Sequence, residues 1–167
     1  MLNIGKMFLD GAILSFLASL ILLVLLCYNP RLFLQDYPEN IQNKVSPKTK
    51  KEKKQSLVLG IPFILLFVVV PFLSTLGLMR QSGGEATFVQ LFLHTFGVVF
   101  IFNLVDLVLL DWLLFCTITP TFMVIPGTEG SQAYKDYFYH LKASVVGTFL
   151  SFVTGLVIAG IVSFLYP

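Results

Sequence analysis

The sequence predicts an all-α fold, an integral membrane four-helix transmembrane bundle forming a single domain over residues 1–167, and three observations predict it. Hydrophobic residues make up 56% of the chain and charged residues only 12%, with a mean hydropathy of +0.86, far from the composition of soluble domains. A hydrocarbon core about 30 Å thick needs about 20 helical residues, and four apolar runs reach that length, at about 8–28, 57–79, 88–115 and 143–166. The basic residues are also sorted between loops. Arg31, Lys44, Lys48, Lys50, Lys51, Lys53 and Lys54 fall between the first two spans and Lys135 and Lys142 before the last, against Lys6 and Arg80 on the other side. By the positive-inside rule both termini lie outside and the loops 29–56 and 116–142 are cytoplasmic, as expected of a multi-pass protein of a cell inner (plasma) membrane.

The net charge is +2 and the pI about 8.5. The one basic run lacks interleaved aromatic residues and sits between two spans, which excludes a nucleic-acid partner. Membrane lipids are the expected partners, with a second copy or a membrane partner protein as further candidates. Cys27 and Cys116 have neither CxxC spacing nor a neighbouring His. They read as small buried hydrophobes at a reducing boundary, where a disulfide is disfavoured.

In chain order, Lys6 followed by Gly11 to Cys27 could pass for a signal peptide. The run leads into Asn29-Pro30-Arg31 without a small-x-small cleavage site, so it reads as an uncleaved first span. Residues 29–38, bracketed by prolines, suit a segment at headgroup level, and 44–54 reads as a solvated basic run able to meet anionic lipid. The second span holds Pro62 and Pro71. Pro71 removes the hydrogen bond to the Phe67 carbonyl and predicts a kink, with Ser74 and Thr75 at hand to repair it. Residues 80–85 form a short turn that makes spans two and three antiparallel neighbours. Residues 119–126 are too apolar for water and too rich in proline for a helix, so they dip into the interface or plug the bundle. Tyr134 to His140 reads as an interfacial helical lead-in to span four.

Span four carries a strip of small residues, Gly147, Ser151, Gly155, Ala159 and Ser163, where another helix can approach closely, within the bundle or between copies.

Span three holds the polar residues with chemical potential. A carboxylate at mid-membrane costs about 2.5–3.5 kcal/mol on insertion scales, so it belongs in a bundle interior or a wet cavity. At 1.5 Å and 100° per residue, Asn103 and Asp106 share a face in the inner half. Asp111 lies about 7.5 Å deeper and about 140° around, so an unbroken α-helix does not aim both carboxylates into one site. The expected partners of Asp106 are Asn29, Arg31, His140 and Lys142, with Asp36 and Glu129 on loops nearby; with Asp111 they form a self-neutralising ion network of Arg31, Asp106, Asp111, His140 and Lys142, or a ligand- or ion-binding cluster. His94, with Gln90 on its face and far in depth from these acids, reads as a hydrogen-bonded helix contact. No HExxH, DxxD or similar spacing supports a metal centre, and no motif names a cofactor or a catalytic residue.

Asn29-Pro30-Arg31, Gln35-Asp36-Tyr37-Pro38, Asp106, Asp111-Trp112 and residues 125–130 (Ile-Pro-Gly-Thr-Glu-Gly) resemble a group of small four-span prokaryotic inner-membrane proteins to which no activity is attached. That resemblance implies the same architecture and no chemistry. Function is therefore expected to be the binding or passage of a small ligand, ion or lipid beside Asp106. The alternatives are an embedded enzyme acting on lipid head groups and an accessory subunit docking through the strip of span four.

Overall fold

The structure, a computed structural model, describes residues 3–166. Every regular element among them is helical: α1 (Ile4–Tyr28), a 3-10 segment (Pro30–Asp36), the short α2 (Glu39–Gln42), α3 (Lys50–Gln81), α4 (Phe88–Val105) running on as a π-helix (Asp106–Ile118), two 3-10 turns (Thr121–Met123 and Gln132–Lys135), and α5 (Tyr137–Leu165). Four helices are long and apolar enough to cross a membrane: Ile4–Tyr28, Lys50–Gln81, Phe88–Ile118 and Tyr137–Leu165. Large side chains such as Phe16, Leu65, Val108 and Phe149 lie exposed around the bundle. Such a surface needs an apolar solvent, and the chain reads as a multi-pass membrane protein.

Helix ends are set by local caps. Thr49 and Glu52 form a capping box, so Lys50 to Lys54 belong to the first turns of α3, where their lysines stay exposed. Thr87 and Gln90 form another at the start of α4, which engages Gln90 with Thr87 and not with His94. Asp136 accepts from the Tyr139 amide and starts α5 there, several residues before the apolar run. Between α3 and α4 the chain turns through Gly83 and Gly84, at φ +68° and +90°, the left-handed region that glycine enters at no steric cost.

Helix α3 is continuous through Pro62 and Pro71. Thr75 Oγ1 donates to the Pro71 carbonyl, whereas Ser74 turns across the bundle to Asp10 and His94. Neither hydroxyl bonds the Phe67 carbonyl that Pro71 leaves free, so the expected repair is not made by these two side chains.

Small residues decide which helices touch. A Cβ at Gly11 would collide with Ile101, and one at Gly97 with Met7. These pairings advance together along both helices, so α1 and α4 run parallel at close range. On α5, a Cβ at Gly147 would collide with the Asn103 side chain and one at Gly155 would press on Phe92 and Phe96. Ser151 and Ala159 are buried, and Ser163 is half-buried. The strip therefore faces α4 within the chain, where close backbone approach maximises van der Waals contact.

Three apolar layers stack along the bundle. Leu78, Met79, Leu91, Ile158 and Val162 form one end, and Leu14, Ala18, Val98, Val99 and Phe102 with Phe63 and Phe67 the middle. Leu34, Tyr37, Ile41, Phe115, Met123, Ile125 and Tyr134 form the other end. That last layer consists largely of the two long loops. Met123 and Ile125 are buried, Tyr37 donates its hydroxyl to the Met123 carbonyl at 2.8 Å, and the Tyr134 hydroxyl accepts from the Ile125 amide at 2.9 Å. Residues 119–126 thus plug the bundle.

Candidate functional site

The π-helix positions the site. Its hydrogen bonds reach five residues back, as from the Thr119 amide to the Leu114 carbonyl at 2.8 Å, and the Thr117 hydroxyl reaches the Trp112 carbonyl over the same spacing. Residues five apart then lie on one face, and Asp106 and Asp111 are five apart. The expectation that these carboxylates diverge by about 140° assumed α geometry and is overturned by the wider turn.

Both carboxylates line one cavity of about 500 Å³ between the plugged end and the middle layer. Its apolar wall comes from α1 and α3 through residues such as Leu22, Leu26, Leu59 and Phe63. Its polar end comes from Gln35, Asp36, Asp106, Asp111, Tyr139 and His140, and no Lys or Arg lines it. Asp106 is half-buried and meets no hydrogen-bond donor side chain among the described residues. Asp111 Oδ1 lies 3.0 Å from His140 Nδ1, which fixes the imidazole with Nδ1–H toward the carboxylate. The opposite ring nitrogen, Nε2, is buried without a partner among the described residues.

Asp36 closes the polar end from the 3-10 segment. The residue is exposed as a whole, and it lines the cavity. Desolvation by the protein around it holds its pKa above the ordinary aspartate value, against the pull of Lys48 and of the hydrogen bond from Gln35 Nε2 at 3.0 Å. Lys48 is shifted down by burial and donates to the Leu32 carbonyl and to Ser56 Oγ, so its ammonium is held by neutral oxygens.

The other expected members of the cluster lie elsewhere. Arg31 binds Glu52 Oε1 at 2.6 Å and the Ser46 carbonyl at 3.0 Å, tying the first loop to the start of α3. Lys142 lies over the Phe138 ring, 4.6 Å from its centroid. Glu129 folds back on the Gly127 amide, and backbone N–H groups hold its carboxyl below the usual range. Asn103 donates to the Ser144 carbonyl, Ser144 Oγ and Thr148 Oγ1, each at 3.1 Å, and serves as a clamp between α4 and α5. The self-neutralising network therefore loses both of its strong cations, because each finds a closer partner on its own side of the bundle.

Sequence reasoning missed a second polar group at the other end. Lys6 Nζ donates to Asp10 Oδ2, Ser74 Oγ donates to the same oxygen, and His94 Nε2 lies 2.7 Å from Ser74 Oγ. His94 is fully buried, and it is joined to an acid through one hydroxyl, contrary to the expected isolation. The Ser74 proton is directed to Asp10, and the acid does not reach the imidazole. This is a cross-bundle tether, without the order of a nucleophilic triad. The spacing of Lys6 and Asp10, four residues apart on a helix, was the available signal.

Among the described residues, no three of His, Cys, Asp and Glu stand close enough to hold a metal ion. Compared with family models, curated proteins and solved structures, the chain finds no match in any of the three.

Proposed function

We propose that the protein is a non-enzymatic membrane protein that binds a small organic cation with an apolar body in the cavity between α1, α3, the π-helix and α5. One observation carries this reading. Three carboxylates face a largely leucine- and phenylalanine-walled cavity that has no Lys or Arg in its lining. A volume of about 500 Å³ lies in the range of small-molecule pockets. A cationic head would meet Asp106 and Asp36, while an alkyl or aryl body would lie on Leu22, Leu26 and Phe63. With both termini outside a prokaryotic plasma membrane, as nine basic residues against two support, the polar end of the cavity sits on the cytoplasmic side.

The test uses purified protein in nanodiscs and hexylammonium as the probe, with hexanol and hexanoate as neutral and anionic counterparts. Hexylammonium binds by calorimetry and the other two do not. Asp106→Asn weakens it about tenfold or more, as expected for loss of a charge-assisted contact. Equal binding of hexanol, or an unchanged Asp106→Asn variant, overturns the reading.

A second reading, an enzyme acting on lipid head groups, is favoured by the Asp111–His140 pair, an acid-oriented imidazole of general-base type. Its Nε2 is covered and Glu129 stands on a separate turn. Hydrolysis of nanodisc lipid that is lost in His140→Gln would favour it over simple binding. Docking through the small-residue strip is weakened by its two glycines, Gly147 and Gly155, packing on α4 within the chain.

A further inference from the structure

A second hollow, of about 470 Å³, lies between α1 and α3, lined by Val24, Leu25, Tyr28, Lys51, Lys54, Gln55, Val58 and Leu59. It has an apolar trough and a polar rim. Lys51 and Lys54 are three residues apart near the start of α3 and so share a face. Gln55 Nε2 donates to the Tyr28 hydroxyl at 3.3 Å, bridging the two helices at the rim.

Neither ammonium pairs with a carboxylate among the described residues. Glu52, between them in sequence, is committed to Arg31 and to the Thr49 amide. Two unneutralised cations thus stand at the head of a trough whose floor carries no polar group, and Val24, Tyr28 and Val58 are exposed along it. A cation is disfavoured there, and a free anion in water has no use for the trough.

We propose that this trough binds one anionic phospholipid, its phosphate between Lys51 and Lys54 and one acyl chain along Val24, Leu25, Val58 and Leu59. The site is distinct from the acidic cavity and does not depend on what that cavity holds. The two do share a partition, because Leu25 and Leu59 line both. The acyl chain therefore presses on the apolar wall of the cavity.

The test is native mass spectrometry of protein released from nanodiscs of phosphatidylcholine with a minor share of phosphatidylglycerol. Wild-type protein retains phosphatidylglycerol about tenfold over its share in the disc, and K51Q/K54Q brings retention to parity, in line with the attraction of basic residues for anionic lipid. K50Q/K53Q removes the same charge from exposed lysines outside the trough and keeps the preference. Val58→Trp, at a lipid-exposed position of the trough, lowers retention with all lysines intact. Equal loss in K50Q/K53Q, no loss in K51Q/K54Q, or no effect of Val58→Trp overturns the proposal.

Discussion

Asp36 shows how a single side chain trades stability for a site. Desolvation by the folded protein raises its pKa, so the folded protein holds that proton more tightly than the unfolded chain does. The stabilising share of that proton is fully present below the ordinary aspartate value of about 4 and is lost as pH rises through the raised one. Asp36→Asn removes the charge and keeps the shape. It is therefore expected to raise the thermal unfolding midpoint at neutral pH, with the gain shrinking to nothing as pH falls below about 4. Melting curves of both proteins across that range check it, and a gain that persists at low pH would show that the carboxylate is not the cause. The same variant should weaken hexylammonium binding, because the charge it removes faces the cavity. Arg31 and Lys142 make the complementary point. Each is basic and near the right depth, yet each is held by Glu52 or by Phe138, which leaves the acids open to a ligand.

At the scale of elements, the change from α to π geometry at Asp106 creates the site. An α-helix would send one carboxylate toward a neighbouring helix and the other around by about 140°. The five-residue spacing brings them onto one face. Cysteines at both positions, in a background without Cys27 and Cys116, report on this directly. Asp106→Cys with Asp111→Cys should chelate Cd²⁺ about 100-fold more tightly than either single variant, the expected gain when a second ligand is held nearby. Thiolate-to-metal charge-transfer absorbance follows the titration, and equal affinities for double and single variants would restore the α geometry. The π-helix ends at Thr119, a β-branched residue at φ +49°. Its side chain donates to the Phe115 carbonyl at 2.8 Å, which offsets part of the strain of that conformation. The start of the following chain is thereby aimed into the plug.

For the whole molecule, two polar groups lie at opposite ends of a dry middle layer of leucine, valine and phenylalanine. Lys6, Asp10, Ser74 and His94 tie three helices together at one end, while the acidic cavity lies beneath the loops at the other. The orientation proposed from basic residues makes a simple statement about access. In intact cells a membrane-impermeant maleimide should label Glu85→Cys, whereas Gln132→Cys should react only after permeabilisation; the reverse pattern would invert the protein. Of the two placements read for residues 119–126, interface or plug, the structure shows the plug. Four long apolar helices and their loops were legible in the sequence, because bilayer thickness and the cost of burying polar backbone leave few alternatives. So were Asp106, Asp111 and His140 as residues of interest, since acids and imidazoles rarely enter a span without a partner. Asp36 was among the loop residues read as near Asp106, but composition did not reveal that Asp106 and Asp111 share a face, that Asn103 clamps α5, or that Asp10 meets His94 through Ser74. Those depend on local helical pitch and on which side chain reaches its partner first, and only the packing of all the helices against one another decides that.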